Sequence, residues 1–210
     1  MNGAAAPANV LEIEPGLDRW TAPHPDWNER SAHGSAEDWD ELVGSVLYEQ
    51  PDVVTLIDPL LPGEGRDGFL RWLDSTIAGR RVSILTTIRW HRRDREQLAD
   101  RYSAQTRSAW NAVPAGVTPK PLRGAGETLY WLPAPRTLVA GDRLIVVPGA
   151  GLRLCPQSWL EDVHVNRPGL ADVLSPLLEL PIERVLVSHG EPVLHDGRAA
   201  LAHAISEARA

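Results

Sequence analysis

The feature that most constrains the fold is a nearly continuous apolar run, DVVTLIDPLLP, which begins at Asp52. Its residues do not alternate between apolar and polar types, as they would in a strand with one face in water. A strand that is apolar on both sides is buried on both faces and needs a layer of structure against each. A second buried run, Val82–Leu85, follows RDGFLRWLDSTIAG, whose apolar residues have helical spacing. We therefore predict a layered α/β protein.

The remainder of the chain is also predicted to consist of short strands and helices. Strands are expected in VLEIEPGLDRWTAPHPDW, SVLYE, ETLYWLPAPRTLVAGDRLIVV and ERVLVSHGEPV. Helices are expected in DREQLADRY, with Asp94 as its N-cap, in GLADVLSPLLEL and in DGRAALAHAISEA. No repeat, low-complexity tract or linker divides the sequence. We predict a flexible N-terminus over residues 1–10 and a single domain over residues 11–210.

Charge and composition narrow the class of partner. The formal net charge of −7 argues against a general nucleic-acid binder. No run of about 18 apolar residues is present, so no membrane span is expected. The N-terminus has no basic stretch followed by an apolar one, and the single Cys155 cannot form an internal disulfide. We expect a cytoplasmic protein that acts on a small molecule.

Three predicted strands end in polar residues. Asp58 follows one apolar run, Asp142 follows Ala140 and Gly141, and His189 follows Val187 and Ser188. In α/β folds, ligands gather at strand ends because the loops there bring together side chains from distant parts of the chain. Carboxylate and imidazole are typical ligands of a zinc-like ion. These strand ends are therefore the first candidates for a site.

Four sequence motifs, in this order, resemble those of the metallo-β-lactamase fold. TLIDPLLP resembles the strand that ends in a buried Asp, and VSILTT resembles the strand that enters the His-x-His-x-Asp-His metal loop. TLVAGDRLIV resembles the hairpin that supplies the metal-bridging Asp, and RVLVSHGEPV resembles the last strand, whose His binds metal. The resemblance implies a four-layer αββα sandwich in a single domain, a fold of mostly hydrolytic metalloproteins.

The metal loop departs from the pattern of that family. In one register, the four ligand positions hold Thr87, Arg89, His91 and Arg92. In the register one residue later, they hold Ile88, Trp90, Arg92 and Arg93. The family also has a His before the hairpin, whereas PLRGAGETLYW contains none. The ligands of the family's first metal site are therefore missing from this sequence.

The resemblance still allows a reduced site with one metal ion. In the first register His91 takes the place of the loop Asp, while Asp142 and His189 match the bridging Asp and the last His. Three such ligands could hold zinc, manganese or iron and leave one position open for water, for hydrolysis of an ester, thioester or amide. Asp142 and His189 are then the predicted catalytic residues, and Asp58 has a structural role in holding loop amides.

The arginines of the same loop support two alternatives without a metal. Arg89 and Arg92, if they stood beside Asp142, would repel a divalent cation and could form ion pairs with the carboxylate instead. The chain would then bind an anionic small molecule through Arg89, Arg92 and Arg93, or act as a non-catalytic interaction protein. The sequence leaves these two alternatives and the one-metal hydrolase open.

A few other residues need placing. His24, Asp26 and His33 lie in an N-terminal loop that could reach the site, although a surface loop is expected. Cys155 has no base nearby in sequence and Ser188 lacks a nucleophile-elbow motif, so neither is expected to act as a nucleophile. The chain contains eight Trp but one Phe, a balance that the sequence does not explain.

Overall fold

The computed structural model describes residues 6–28, 39–107 and 113–210. The strands within these ranges are β1 Val10–Glu14, β2 Leu17–Pro23, β3 Leu42–Glu49, β4 Val53–Ile57, β5 Arg81–Leu85, β6 Gln105–Arg107, β7 Thr118–Leu122, β8 Glu127–Leu132, β9 Thr137–Val139, β10 Leu144–Val147, β11 Gly151–Leu154 and β12 Arg184–Leu186. The helices are α1 Arg66–Ile77, α2 Arg95–Tyr102, α3 Arg167–Leu174 and α4 Gly197–Arg209, with short 3₁₀ helices at Gln157–Leu160 and Ser175–Glu179.

The strands form two main sheets. The larger has the order β1-β2-β3-β4-β5-β6, and the smaller has the order β12-β9-β8-β7. Strands β10 and β11 form a separate antiparallel hairpin. In the larger sheet β4, β5 and β6 are parallel, and in the smaller sheet β9 and β12 are parallel. The carboxyl ends of neighbouring parallel strands therefore lie at one edge of each sheet.

Side-chain alternation along the strands builds four layers. Val54 and Leu56 of β4 pack with Leu73 of α1, whereas Ile57 packs between the sheets in a cluster that contains Leu132 of β8. The outer face of the smaller sheet packs against α3 and α4. All five residues of β4 are buried, as the apolar run predicts for a strand covered on both faces. The predicted αββα sandwich in one domain is confirmed.

Local expectations need two corrections. Asp94 precedes α2, but its side chain does not cap the helix, because its Oδ2 accepts a hydrogen bond from the Leu61 amide at 2.7 Å. GLADVLSPLLEL is not one helix: α3 ends at Leu174 and a 3₁₀ helix follows. Pro176 lacks the N–H that an α-helix would need there. At the N-terminus, β1 begins at Val10.

The edge where the strands end also joins the two sheets. Val43 of β3 forms a bridge with His189, and Ile88 forms one with Glu127 at the start of β8. The segments that follow β4, β5, β9 and β12 therefore meet at this edge. Within the residues that the structure describes, no helix has the length and apolarity to cross a membrane.

Candidate metal site and pocket

Three buried side chains from three strand ends converge at this edge. His91 lies in the loop after β5, Asp142 follows β9, and His189 follows β12. The Nε2 atom of His91 lies 2.9 Å from Asp142 Oδ1, and the Nε2 atom of His189 lies 3.2 Å from the same oxygen. Each residue offers one ligand atom, and these atoms all lie within 4.8 Å of one another. The structure therefore brings together the three residues that the family resemblance singles out.

Asp58 fixes the orientation of His91. Its Oδ1 accepts a hydrogen bond from the Thr87 amide at 2.8 Å, and its Oδ2 accepts one from the Thr87 hydroxyl. The same Oδ2 lies 2.9 Å from His91 Nδ1. A proton on Nδ1 is therefore stabilised by the buried carboxylate, which leaves the lone pair of Nε2 facing Asp142 and His189. Asp58 adopts a left-handed conformation with φ of 50°, which turns the chain at the end of β4.

The charges at the site strongly shift the pKa of His91 and that of Asp142. Burial alone lowers the pKa of His91, but the carboxylates of Asp142 and Asp58 outweigh it and raise this pKa to about 9. Burial alone raises the pKa of Asp142, but His91 and His189 outweigh it and hold this pKa well below its ordinary value. A proton and a divalent cation consequently compete for His91 Nε2, since only the neutral imidazole is a ligand.

Glu127 holds the turn that carries Asp142. Its buried carboxylate accepts hydrogen bonds from the amides of Gly141, Asp142 and Arg143 at 2.9, 2.8 and 2.9 Å. Burial and the charge of Asp142 raise the pKa of Glu127 to about 7. The indole Nε1 of Trp90 donates to Asp142 Oδ2 at 2.6 Å, so that Oδ1 faces the two imidazoles. Glu127 was not identified as a site residue from the sequence. The feature that could have indicated it is a single acidic residue at the start of the apolar strand ETLYWL.

Two arginines, the buried Arg19 and the partly buried Arg93, hold the backbone around His189. The Arg19 guanidinium donates to the carbonyls of Gly190 at 2.8 Å and Val187 at 3.3 Å. Arg93 donates to the Ser188 hydroxyl at 2.7 Å, and also to backbone carbonyls of the β3 and β4 segments. Burial lowers the pKa of both arginines. These bonds fix the strand end that carries the third candidate ligand.

The other arginines of the loop lie elsewhere. Arg89 is exposed and forms an ion pair with Asp162 at 3.1 Å, and Arg92 is exposed as well. The observed side-chain partners of Asp142 are Trp90, His91 and His189, so the structure does not bring Arg89 or Arg92 to this carboxylate as expected. The role of Arg89, Arg92 and Arg93 in binding a substrate stays a prediction.

A pocket of about 360 Å³ opens above the three candidate ligands. Its lining consists of His24, Trp39, Trp90, His91, Asp142, Arg143, Ser158, Trp159, Glu161, Asp162 and His189. His24 thus reaches the pocket from the N-terminal segment, and its Nδ1 accepts a hydrogen bond from the Asp26 amide at 3.2 Å. His33 lies outside the described residues.

Cys155 and Ser188, which the sequence does not favour as nucleophiles, form no hydrogen bond to a base among the described residues. Cys155 is fully buried, and burial raises the pKa of its thiol to about 12. The Ser188 hydroxyl accepts a hydrogen bond from Arg93, a cation that cannot remove a proton from it. Neither side chain lines the pocket. The chemistry of the pocket therefore has to come from its imidazoles, its carboxylates or a bound ion.

The donor set fits one divalent ion. Two imidazole nitrogens and one carboxylate oxygen form the kind of three-ligand group that leaves a fourth position open in catalytic zinc sites. The contact of His91 Nδ1 with Asp58 is the outer hydrogen bond that metal-binding histidines usually make. The buried Nδ1 of His189 has no hydrogen-bond partner among the described residues. Among the described residues, no second group of three His, Cys, Asp or Glu side chains converges in this way, so the residues do not fit a two-ion site.

Comparison with known proteins identifies the fold. No protein-family model and no curated protein sequence matches this chain. Among solved structures, a metallo-β-lactamase from Erythrobacter litoralis superposes with a TM-score of 0.66 at 15% identity, covering 96% of this chain and 92% of that one. DIM-1 metallo-β-lactamase superposes with a TM-score of 0.59 at 14% identity, covering 95% of both chains. The chain therefore has the metallo-β-lactamase fold, and a fold alone does not assign an activity.

Proposed function

We propose that this chain is a hydrolase with one divalent metal ion, held by His91 Nε2, Asp142 Oδ1 and His189 Nε2. The observation that carries the proposal is the convergence of these three buried ligand atoms, within 4.8 Å of one another, at the floor of a pocket. The proposed substrates are esters, thioesters or amides. The fold supports this proposal because the similar solved structures are named as metallo-β-lactamases.

Zinc, manganese or iron at this position would supply Lewis acidity and lower the pKa of a coordinated water. The residues of the chain provide the orientation. Asp58 keeps the proton of His91 on Nδ1, and Trp90 occupies Asp142 Oδ2 so that Oδ1 stays directed at the imidazoles. Glu127 fixes the backbone of Asp142 through three amides. Ligand atoms that are held before the ion arrives bind it with less loss of conformational entropy.

The position of the arginines does not favour the alternative of a metal-free anion site. Arg89 is paired with Asp162 at the rim, and the guanidinium of Arg93 is directed at two backbone carbonyls and Ser188. The pocket lining also contains the acidic residue Glu161 in addition to Asp162. An anionic ligand would meet these carboxylates, and the guanidinium of Arg143 beside them already donates to the carbonyls of Ala125 and Trp159.

The test of the proposed function is metal content followed by activity. Untagged protein purified without added metal is expected to carry close to one zinc, manganese or iron ion per chain by elemental analysis. His189→Ala should lose this ion, whereas His203→Ala, a change at an exposed position on α4, should keep it. The metal-loaded protein should hydrolyse at least one class among aryl esters, thioesters and amides, and His189→Ala should not.

The result against the proposal is equally definite. Absence of any bound metal, together with no rise in melting temperature on addition of Zn²⁺ or Mn²⁺, would exclude a metal site, because a ligand that binds the folded state must stabilise it. A loaded protein that hydrolyses none of the three substrate classes would retain the metal site but refute the hydrolase.

A further inference from the structure

Three tryptophans from separate parts of the chain meet at the pocket. Trp39 lies just before β3, Trp90 lies in the loop after β5, and Trp159 lies in the 3₁₀ helix that follows β11. They are three of the eight Trp residues in a sequence with only one Phe. Trp20 of β2 and Trp72 of α1, by contrast, are buried together in the core. The unusual aromatic composition is thus partly concentrated at the candidate site.

The three indoles surround the candidate ligands. The rings of Trp39 and Trp159 lie 5.4 and 5.3 Å from the His189 ring, with interplanar angles of 81° and 67°. Trp90 is 44% exposed although its Nε1 reaches Asp142, so part of its ring faces solvent. Large rings with few rotatable bonds that border a cavity offer flat apolar contact area at a low cost in entropy. A ligand at the metal position would therefore be flanked by indole rings.

The charges around the pocket disfavour a charged ligand of either sign. The carboxylates of Asp142, Glu161 and Asp162 line it together with the guanidinium of Arg143, so a ligand of either sign would meet a group of its own sign. The guanidiniums of Arg89 and Arg143 lie 5.4 and 5.7 Å from the Trp90 ring centroid, where they would repel a cationic ligand that approached this ring. The remaining kind of ligand is uncharged.

The size of the pocket limits the ligand further. Its volume of about 360 Å³ lies near the lower end of the range of about 300–1,000 Å³ for small-molecule pockets. This space accommodates one or two rings and a reacting bond, but not a large conjugate. We infer that the pocket binds a flat, uncharged aromatic group, and that the substrate carries this group next to its scissile carbonyl. Only the second part of the inference rests on the proposed function.

Binding can be tested with two amides and two ions that differ in charge or in planarity. Isothermal titration should measure N-methyl-2-naphthamide, 2-naphthoate, (2-naphthylmethyl)trimethylammonium and N-methylcyclohexanecarboxamide against the full chain. We expect the neutral naphthamide to bind about ten-fold more tightly than each of the others, because stacking on indoles and the absence of charge both favour it. The preference should persist after treatment with a chelator, since the rings and not the ion provide it.

Variants should connect the binding to the indoles. Trp159→Leu is expected to weaken naphthamide binding about ten-fold, whereas Trp159→Phe should retain most of it because a flat ring remains. Trp39→Leu removes a ring from a different segment and provides a second measurement if Trp159→Leu does not fold. Tyr102→Leu, a loss of a half-buried ring outside the pocket, is the matched control and should bind as the wild type does.

Failure of this inference can be distinguished from failure of the proposed function. Equal or tighter binding of the anion, the cation or the cyclohexane amide would overturn the inference even in a protein that contains metal. Unchanged naphthamide binding by both Trp159→Leu and Trp39→Leu would overturn it as well. A protein that binds no metal but prefers the naphthamide would refute the hydrolase and leave the aromatic site in place.

Discussion

Asp58→Asn is the most informative single change, because it alters one group while preserving the shape of the side chain. Asn tolerates the left-handed conformation of this position as well as Asp does. Its amide oxygen can still accept from the Thr87 amide, but its NH₂ group would then face the Thr87 hydroxyl and His91 Nδ1. An imidazole that accepts at Nδ1 carries its proton on Nε2, so His91 could no longer offer a lone pair to a metal ion.

The expected magnitude follows from the burial of the pair. The side chains of His91 and Asp58 are only 3% and 5% exposed. Breaking a buried ion pair from one side costs about 3–5 kcal/mol, and a hydrogen bond to a charged group contributes about 1.5–3 kcal/mol. These two effects overlap, and the amide keeps one bond, so we expect the free energy of unfolding to fall by about 3 kcal/mol. Loss of an outer hydrogen bond to a metal-binding His lowers metal affinity about 10–100-fold.

Two assays with a matched control test this prediction. Urea denaturation in the presence of EDTA gives the free energy of unfolding, and competition with a chromophoric chelator gives the affinity for Zn²⁺. The control is Asp94→Asn, which also alters a carboxylate that accepts a backbone amide, here that of Leu61. It should lower stability without a change in Zn²⁺ affinity. If Asp58→Asn binds Zn²⁺ as tightly as the wild type, the assignment of His91 Nε2 as a ligand is wrong.

The remaining predictions use the same two assays. The pKa of His91 is raised to about 9. In EDTA, the contribution of His91 to the free energy of unfolding should therefore be fully present below its ordinary pKa of about 6.5 and be lost as the pH rises through 9. A free energy of unfolding that stays constant from about pH 7 to 9.5 would contradict this. Glu127→Gln should lower the free energy of unfolding by about 2 kcal/mol, because the NH₂ group of Gln would face a backbone N–H of the Asp142 turn. Unchanged stability and Zn²⁺ affinity would show that the turn does not need this acceptor. Gly190→Ala should lower the free energy of unfolding by more than about 2 kcal/mol, since the residue has φ of +89° and the added Cβ would overlap a carbonyl of β10. A change close to zero would count against the geometry of this turn. Arg89→Ala should leave the free energy of unfolding and the Zn²⁺ affinity unchanged, because the ion pair of Arg89 is exposed. A gain in Zn²⁺ affinity would instead show that this arginine repels the ion.

The layered fold could be predicted because burial leaves a strong pattern in the sequence. The runs Val53–Ile57 and Val82–Leu85 have no polar face, which requires layers on both sides of their sheet. The chain positions of Asp58, Asp142 and His189 could be predicted for a related reason, since polar residues that end apolar strands are exceptions to that pattern. Convergence of the strand ends then follows from the parallel pairing of β4 with β5 and of β9 with β12.

Other features could not be predicted because they depend on partners distant in sequence. Strand β7 has the sequence TPKPL, and the two prolines conceal it because they lack an N–H. The structure accommodates this strand at the edge of the smaller sheet, where prolines are tolerated. The approach of His24 and Trp39 to the pocket likewise comes from tertiary packing. No periodicity of apolar residues in the N-terminal segment predicts that contact.

The direction in which each arginine side chain of the loop points was the property hardest to predict from the sequence. Arg93 has φ of +44°, a left-handed conformation that is uncommon for a long side chain. This one backbone angle turns Arg93 inward to the carbonyls of Gly44 and Asp58, while Arg89 and Arg92 remain exposed. In sequence the three arginines are near neighbours of the same type. A choice between them therefore required the backbone geometry, which keeps Arg89 and Arg92 away from the candidate ligands but brings the charge of Arg93 near His91.

The buried and partly buried charges around the site provide a separate argument for a function that depends on geometry. Asp58, Glu127, Arg19 and Arg93 are all directed at the segments that carry the candidate ligands. Removing such groups from water is costly, and apolar residues of the same size often stabilise a protein at least as well. Their gain is in orientation: each fixes a backbone turn or an imidazole tautomer at a strand end. A chain in which this edge served only as stable core would not need four such groups, so their arrangement favours a site in which the positions of His91, Asp142 and His189 matter.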